Sequence, residues 1–505
     1  MNFYKSNGGG NISFTRGSYH ARMYRYVPAA KAFRRPARLA TVMLLAGLPL
    51  SGMAGIDPLG TQSYVSANAA SIPNSNVPAY TCPAPGQVSG TLNLPQVTDL
   101  ALCNNPQTQT AWINTKIAAA QLGISRGAWL PTLNLSATGQ RTYANPNPQG
   151  GPPTTNGETD VSLSLQYLLF NFGGRNAQVE SDQQALIAAD LSQDATIQSV
   201  LFAAVQDYYD LLAGQEAVRA AQESVKSDQA AYDAANARHT AGTATLSDVL
   251  QAKTALSQAQ LTRTQTEGAL TTARGTLANI MGLPADTAFS IEPVPTAPNA
   301  SAATDLKQLI ARAVTARPDL AAAQAEIKSA QASVSVAQST GLPSLSLFAT
   351  PSYSRSAAFG VQHQTVYGLS LSVPLFSGFV TTYEVHRAKA ELDSAIAARN
   401  QIQNQVSLDV FTAYTALLTA QDALTAAEDL LSSARAAAQL AIGQYKAGVG
   451  DILNVLSANA ALVSAEQQEI QSRYNLYIAR ASLAKAIGIL QPGDLASVSS
   501  AAPAP

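Results

Sequence analysis

The chain contains an internal duplication, which limits the folds it can adopt more than any other feature. Residues 341–347 repeat the pattern of residues 128–135, and residues 372–378 repeat that of residues 166–173. The offset is 343 − 131 = 212 at the matched prolines and 376 − 170 = 206 at the matched phenylalanines. The six-residue difference falls between the two matched segments of each copy, so it marks a loop there. Because a long self-similar period indicates a repeated structural unit, two halves of roughly 190 residues are expected to build one object.

Each copy contains two runs in which apolar residues alternate with polar ones, as in a strand with one apolar face. Each run has about 10 or 11 residues, the length of a tilted strand that crosses a membrane. Residues 145–153 are polar and rich in proline and glycine, so they predict a water-exposed hairpin loop. The alternating apolar positions are Leu133, Leu135, Val161, Leu163 and Leu165 in the first copy, and Leu345, Leu347, Leu369, Leu371, Val373 and Leu375 in the second.

Helical spacing follows a glycine-containing corner in each copy. The proline-free stretch there has about 65 residues, which corresponds to roughly 100 Å of helix. Its alanine-rich stripe predicts close packing of helix against helix. A glycine turn and a return helix come next, and a shorter helical segment precedes the strands. The predicted helices are Val97–Arg126, Ala177–His239 and Ser247–Ile280 in the first copy, and Leu306–Ser339, Ala388–Lys446 and Ile452–Ile487 in the second.

The N-terminal region has the pattern of an export signal. An apolar run at residues 39–54 follows Arg34, Arg35 and Arg38, so residues 1–54 predict a signal peptide, with Met23 as a possible true start. The Arg34-Arg35 pair leaves twin-arginine export open as an alternative. Residues 55–93 predict an irregular lead-in, residues 94–290 and 305–490 the two repeats, and residues 491–505 a flexible tail.

The only two cysteines are Cys82 and Cys103. In an oxidising compartment, an isolated pair favours a disulfide, which here ties the lead-in to the first repeat. A loop of this size contributes about 3 kcal/mol in the chain-entropy model. Two unpaired thiols are the alternative.

Composition limits how the chain can enter a membrane. Although 46% of the residues are apolar and 12% are charged, no run after residue 60 reaches the roughly 18 to 20 apolar residues of a spanning helix. Four strands cannot close a barrel, and lipid does not tolerate an open sheet edge. If the strands cross a membrane, two copies of the chain give eight strands and three give twelve. The net charge of −1 gives no excess of positive charge that would indicate nucleic-acid binding.

No pattern of enzyme chemistry is present in the sequence. The four histidines, at positions 20, 239, 363 and 386, have neither metal-ligand spacing nor a carboxylate at a recognisable interval. The glycine pairs lack the context of a phosphate loop. We therefore predict no catalytic, cofactor or metal site. Trp129, just before the first strand, is either an interfacial anchor or a helix-packing residue.

Two motifs that occur in both copies resemble those of the TolC family of outer-membrane efflux channels. They are the strand-to-helix corners at Leu169–Arg175 and Pro374–Gly378, and the turns between long helices at Arg238–Leu250 and Gln444–Leu456. The resemblance extends from about Leu94 to Gln491. It implies a homotrimer with four strands per protomer in a twelve-stranded barrel, in the outer membrane of a Gram-negative bacterium. A long periplasmic helical barrel would continue the strands.

The resemblance also implies a function and partners. The channel would be a passive exit duct for small molecules such as drugs, metals or metabolites, or for secreted polypeptide. A periplasmic adaptor would join it to an inner-membrane pump that supplies the energy, and outer-membrane lipid would surround the strands. The alternative is a periplasmic coiled-coil adaptor or structural protein, which would lack the paired strands. Cell fractionation with heat-modifiable gel mobility would distinguish these two classes.

The resemblance places a periplasmic gate just after the two turns. By matching position, the closing network would include Ser247, Asp248 and Tyr445, with Gly242 and Gly448 at the turns that contact the adaptor. The chain departs from the family pattern, because Gly450 stands where an arginine is expected, and Asn454 and Ser457 where two carboxylates are expected. Asp451 could still supply one ring of three charges. Alternatively, Asp248 and Asp451 only place negative charge in the first turn of a helix.

Overall fold

The computed structural model describes residues 57–70, Cys82, and residues 90–144, 154–292, 305–357 and 359–490. The predicted signal peptide, the loop at residues 145–153 and the tail at 491–505 lie outside these residues. A short 3-10 helix at Thr61–Tyr64 precedes the other elements. In chain order these are β1 (Thr91–Leu92), α1 (Leu94–Asn104), α2 (Pro106–Gly127), β2 (Thr132–Ala144), β3 (Thr154–Phe170), α3 (Gly174–Thr240), α4 (Leu246–Ile280), β4 (Ser290–Ile291), α5 (Leu306–Ala316), α6 (Pro318–Ser339), β5 (Ser344–Ser356), β6 (Gly360–Ser372), α7 (Val380–Lys446) and α8 (Ile452–Ile487).

The four long strands form one antiparallel sheet in the order β2-β3-β5-β6. The predicted alternation is confirmed, because the register sets Leu133 opposite Leu165, and Leu347 opposite both Tyr167 and Leu369. Side chains on alternate positions point to opposite faces, so one face of the sheet is apolar and the other is rich in serine, threonine and glutamine. The predicted length of 10 or 11 residues is wrong, since β3 has 17 residues and the other three strands have 13 each.

The helix predicted at the start of each copy is two helices. α1 ends before Asn105, whose side chain accepts a hydrogen bond from the backbone N–H of Gln107 (2.8 Å), and Pro106 then begins α2. In the second copy Pro318 likewise occupies the first position of α6. A residue before proline is pushed towards extended backbone, and proline itself is favoured at the first helical position. The prediction of one continuous helix in each copy is therefore wrong at these two sites.

Long helices lie side by side over most of the described chain. α3 and α7 have 67 residues each, and they pack against the return helices α4 and α8 respectively. α3 also contacts α6 and α8, which joins the two copies. Alanines such as Ala235, Ala252 and Ala438 are buried along these contacts. Small side chains let helices approach closely, so the predicted alanine seam is confirmed. Among the described residues, no helix is apolar over a long enough stretch to cross a membrane.

The largest core lies where α1, α3 and the end of α4 meet. Leu102, Ile197, Leu201 and Leu277 are fully buried there, and the buried Tyr208 hydroxyl donates to the backbone carbonyl of Glu292 (2.7 Å). The parallel pair β1 and β4 covers this core. This core packs the middle of α3 against α1 and the β1–β4 pair.

The predicted disulfide between Cys82 and Cys103 is confirmed, with Cα atoms 5.6 Å apart. Cys103 lies in α1 and contributes to the largest core, and Cys82 packs against that core. The bond therefore attaches the lead-in to the first repeat, as the sequence indicated.

Equivalent glycines end the return helices of the two copies, since 282 + 206 = 488. Gly282 has a φ of +71°, and a Cβ there would lie 2.5 Å from the backbone carbonyl oxygen of Asn104. Gly488 has a φ of +81°, and a Cβ would lie 3.0 Å from the Cα of Arg317. Each return helix thus ends against the junction between the two short helices of its own copy. Both the left-handed conformation and the close approach require glycine.

Replacing Gly282 by alanine should destabilise the protein by about 3 kcal/mol, because backbone strain and overpacking add. Gly242→Ala is the matched control, since Gly242 also has a positive φ (+75°) but a Cβ there meets nothing within 4 Å. The control should cost only about 1 kcal/mol. Thermal unfolding of the purified protein in detergent, followed by circular dichroism, measures both. Equal midpoints for the two variants would contradict the close approach.

Candidate functional site at the helical tip

Two glycine turns lie at one end of the helical part, which we call the tip (Ala231–Leu256 and Ala441–Leu456). Gly242 and Gly448 have φ values of +75° and +80°, and a Cβ at either would meet nothing within 4 Å. Their N–H groups donate to the carbonyls of His239 (2.9 Å) and Tyr445 (3.1 Å). The turns therefore need glycine for backbone conformation, and their outer surfaces are open.

A small apolar cluster holds the two helical hairpins together at the tip. It contains Ala235 of α3, Ala252 of α4, Tyr445 of α7, and Ile452 and Val455 of α8. All five are buried, although the tip is only two helices thick in each copy. Because residues from both copies share this cluster, movement of one hairpin must disturb the other.

Arg238 connects the two copies directly. Its guanidinium lies over the ring of Tyr445, 4.0 Å from the centroid, and donates a hydrogen bond to the Tyr445 backbone carbonyl. A cation over an aromatic face is stabilised by the ring quadrupole. Arg238 belongs to the turn motif, but the sequence did not indicate a role for it. The only signal was its position four residues before Gly242, where the second copy has Gln444.

Tyr445 is 8% exposed, and its hydroxyl is buried without a hydrogen-bond partner among the described residues of the chain. Such an unpaired group costs about 1–3 kcal/mol. Asp248, the predicted partner in the closing network, is engaged elsewhere within this chain. Tyr445 thus lies at the interface between the hairpins, and its hydroxyl makes no hydrogen bond with the described residues.

The two predicted carboxylates cap the return helices. Asp248 Oδ2 accepts from the N–H of Thr245 (2.9 Å), and the Thr245 hydroxyl accepts from the N–H of Asp248 (3.3 Å), which forms a capping box. Asp451 accepts from the N–H of Leu453 (3.4 Å) at the start of α8. Asp248 thus lies in the first turn of α4, as the alternative interpretation predicted, whereas Asp451 is the N-cap residue of α8 and precedes its first turn. Their role in a gate stays a prediction.

The remaining predicted gate residues are exposed. The Ser247 hydroxyl accepts from the side-chain amide of Gln251 (3.2 Å). Asn454 is exposed on α8, and its backbone carbonyl accepts from the Ser457 hydroxyl (3.2 Å). Neither residue contacts Tyr445 through a hydrogen bond in the described part of this chain. They are therefore free to meet groups from outside the protomer.

A buried polar contact lies farther along the helices. The side-chain amide of Asn459 in α8 donates to the Ser227 hydroxyl (3.0 Å) and to Asp228 Oδ1 (3.5 Å) in α3. Burial raises the pKa of Asp228, and the hydrogen bond from Asn459 opposes that shift. This contact fixes α8 against α3 beyond the tip cluster.

The described residues contain no group of three or more histidine, cysteine or acidic side chains that could hold a metal ion. The histidines at positions 239 and 363 make local contacts instead. A ring nitrogen of His239 lies 3.0 Å from the carbonyl of Ala244 within the tip turn, and the ring of His363 packs on Tyr353 across β5 and β6.

The protein thus consists of an apolar-faced sheet of four strands and long helices that end at two glycine turns, and comparison with known proteins identifies the class to which this architecture belongs. The sequence profile of the family described as "Outer membrane efflux protein" matches residues 97–283 and 309–489. The chain belongs to this family.

Three relatives illustrate the match. The chain is 30% identical to Protein CyaE of Bordetella pertussis, over 88% of this chain and 93% of that protein. It is 26% identical to the pyoverdine export outer membrane protein OpmQ of Pseudomonas putida, over 89% and 96% respectively. The Campylobacter jejuni CmeC outer membrane channel has the same fold, with a TM-score of 0.68 at 20% identity over 81% of this chain and 89% of that one.

These comparisons confirm the main predictions. The protein is an outer-membrane channel that forms the exit duct of an export system, and it has the duplicated fold with four strands per protomer in a trimeric barrel. Most of the channel is periplasmic and helical. The alternative, a periplasmic adaptor or structural protein, is not supported.

Replacing Arg238 by methionine should loosen the tip. The methionine keeps apolar packing but loses the cation over Tyr445 and the charged hydrogen bond, at a cost of about 2 kcal/mol. Amide hydrogen exchange in residues 441–447 should then accelerate about 30-fold. Arg219→Met is the control, because Arg219 lies on the same helix but is solvent-exposed, and its ion pair in the described structure is with Glu216 three residues away. Equal exchange in the two variants would contradict a link between the copies.

Proposed function

We propose that the tip is the periplasmic gate of a passive duct. In this proposal a periplasmic adaptor contacts the turns at Gly242 and Gly448 and joins the channel to an inner-membrane pump, which supplies the energy. The channel itself catalyses no reaction. The observation that carries the proposal is the buried Tyr445 hydroxyl, which lies between the hairpins of both copies and has no acceptor among the residues of its own chain that the structure describes.

The missing acceptor would come from an adjacent protomer. Asp248 uses Oδ2 to cap its helix, which leaves Oδ1 to accept a second hydrogen bond. A small movement that opens the cluster around Tyr445 would let its hydroxyl reach such a carboxylate, and would relieve the cost of the unpaired group. A partly solvated contact of this kind is worth about 1 kcal/mol. An adaptor that binds the open state of the duct better than the closed state could therefore release this contact.

The entrance would be only weakly acidic. Asp451 and Asn454 are both exposed beside the second turn, and Ser247 is exposed beside the first. Three copies of Asp451 would place one ring of carboxylates near the tip. Because Asn454 and Ser457 are neutral, we propose that polyvalent cations block this channel less than they would block one with additional carboxylate rings.

The partner proteins, rather than the duct, would determine which class of cargo is exported. A passive tunnel need not recognise what passes through it, so small molecules and secreted polypeptide are both compatible with the proposal. OpmQ is named for pyoverdine export. Co-purification of the cross-linked adaptor and pump, followed by mass spectrometry, would identify the export system and hence the class of cargo.

Combining Asp248→Asn with Tyr445→Phe should raise single-channel conductance in planar bilayers. Asparagine still caps the helix and phenylalanine still fills the cluster, so the variant removes the carboxylate charge and the hydroxyl alone. Asp422→Asn with Tyr414→Phe makes the same chemical changes in α7 away from the tip, and should leave conductance unchanged. A nearly closed conductance in the tip variant, equal to that of the control, would refute the gate.

A further inference from the structure

The internal duplication relates the helices of the two copies residue by residue. α2 and α6 have equivalent bounds, since 106 + 212 = 318 and 127 + 212 = 339, and so do α3 and α7, since 174 + 206 = 380 and 240 + 206 = 446. A contact repeats as well. Arg175 lies over the Trp129 ring, 4.1 Å from its centroid, and at the equivalent place in the second copy a Cβ on Gly341 would lie 3.0 Å from Thr381 Cγ2. The two offsets therefore relate contacts as well as sequence.

The contact between α3 and α6 joins the first copy to the second in the half of the helices nearer the sheet. The hydroxyl oxygen of Ser181 lies 3.1 Å from that of Ser329 and 3.0 Å from that of Ser333. Closer to the sheet, a Cβ on Gly174 would overlap the Ser339 hydroxyl. Small side chains thus allow close packing at this interface within the chain.

On α2, the face equivalent to the one that α6 presents to α3 is exposed. Ile113, Ile117 and Ile124 form a stripe along it, because residues four and seven positions apart lie on one side of a helix. They are 50%, 62% and 69% exposed. The equivalent residues of α6 are buried or mostly covered, and they are Ala325, Ser329 and Val336. The isoleucine stripe is therefore left largely uncovered by the described part of its own chain.

α7 differs from α3 in the same way. Val380 is 55% exposed and Tyr383 71%, and the side chain of Arg387 is 71% exposed. The equivalent residues of α3 are buried or mostly covered, and they are Gly174, Ala177 and Ser181. In a single chain, each of these two faces thus lacks the cover that its counterpart has.

The strands indicate what lies against both faces. α2 leads into the edge strand β2, and α7 follows the edge strand β6. In the trimeric barrel, β6 of one protomer pairs with β2 of the next, as β3 pairs with β5 within the chain. α3 and α6, which continue β3 and β5, contact each other. The neighbour of α7 is therefore α2 of the next protomer.

We propose that the isoleucine stripe of α2 binds α7 of the neighbouring protomer, in the register of the α3–α6 contact. The contacts of Ser181 then become contacts of Arg387 with Ile117 and Gln121 of the neighbour, since 181 + 206 = 387, 329 − 212 = 117 and 333 − 212 = 121. The methylene groups of Arg387 cover the isoleucine, and its guanidinium donates to the Gln121 amide oxygen. This proposal rests on the trimeric barrel and not on the gate.

A glycine changes sides between the two interfaces. Within the chain, Gly174 of α3 makes room for Ser339 of α6. Between protomers the same place holds Val380 of α7 and Gly127 of α2, since 174 + 206 = 380 and 339 − 212 = 127. A Cβ on Gly127 would meet nothing within 4 Å in the single chain. The neighbour's Val380 fills this open space.

The two interfaces differ in chemistry. Serines, alanines and a glycine line the one within the chain, whereas three isoleucines, a valine and a tyrosine line the one between protomers. Burial of such apolar side chains favours association in water, and interfaces between identical subunits are more apolar than the rest of the surface. The helices therefore stabilise the trimer in addition to the paired strands.

Cysteine cross-linking tests the register. Arg387→Cys with Gln121→Cys is the in-register pair, and it leaves the isoleucines intact. The channel in detergent is oxidised with copper phenanthroline and separated by denaturing electrophoresis without reductant. Covalent dimers and trimers should contain at least half of the chains. Arg387→Cys with Asn114→Cys is the matched control and should give at least fivefold less, because seven residues of helix shift the second cysteine by about 10 Å.

A second control shows that the same chemistry works within one chain. Ser181→Cys with Ser333→Cys should form a disulfide without any increase in molecular size, because the two hydroxyls already lie 3.0 Å apart. The native cysteines are joined to each other and do not compete.

Equal cross-linking of the Gln121 and Asn114 pairs, or more at Asn114, would show that the register is wrong. Ser136→Cys with Ser372→Cys distinguishes a wrong helix interface from a wrong barrel. The pairing of Gln166 with Phe348 places these two residues opposite each other between protomers, since 166 + 206 = 372 and 348 − 212 = 136. Links at the strands without links at the helices would mean that another segment covers the isoleucines, and would overturn the proposal.

A paired exchange tests the contact near the sheet. Gly127→Val should weaken the trimer, because two valines cannot pack where a glycine allows close approach. Val380→Gly in the same chain should restore it, and α3 shows that such a helix can begin with glycine. The fraction of trimer that survives heating in detergent should fall at least threefold in the single variant and return to within twofold of the parent in the double. No loss in the first, or no recovery in the second, would contradict the contact.

Discussion

The outer strands of the sheet impose the constraint on which the rest of the molecule depends. β2 and β6 each have a partner on one side only within the described chain. In lipid, every unpaired N–H and C=O group along such an edge costs several kcal/mol. The 13-residue edges are too long to leave uncovered, and pairing with further copies of the chain satisfies them. Three protomers close the sheet into a twelve-stranded barrel, as in the family.

The same closure determines what the helices do. Once the sheet is curved into a barrel, α3 and α7 leave it at equivalent corners, and α6 and α8 each contact both of them. The alanine-rich contacts between these helices allow close spacing. The duplication therefore serves one purpose along the whole length: each copy occupies an equivalent arc of the wall. The copies differ at the two ends, in the order of Phe and Gly at the corners (Phe172-Gly173 and Gly378-Phe379) and in Arg238 and Tyr445 at the tip.

Sequence alone located most of this architecture, because periodicities of 2 and 3.6 residues persist over long segments. The return helix Ile452–Ile487 was predicted to the residue. The strands were predicted too short because their outer ends, such as residues 154–160, are polar at every position and do not alternate. The break before Pro106 was missed although the sequence carried the signal: a proline nine residues into the predicted helix Val97–Arg126 removes an intrahelical hydrogen bond and should interrupt it.

The site was less accessible from sequence than the fold. The contact between Arg238 and Tyr445 joins residues 207 positions apart, and no local pattern marks it. The capping role of Asp248 and Asp451 was visible as an acid near the start of a helix, but the same residues matched the gate pattern of the family. Left-handed backbone at Phe172 and Phe379 is a property of the folded chain, since sequence would assign that conformation to the adjacent glycine.

Amide hydrogen exchange of the assembled channel in a lipid bilayer tests the central claim most directly. If protomers pair through their outer strands, amides in β2 and β6 will be protected to the same degree as those in the inner strands β3 and β5. If every second amide along β2 and β6 exchanges near the rate of unstructured peptide, the edges are open, and the account of a closed trimeric barrel is wrong.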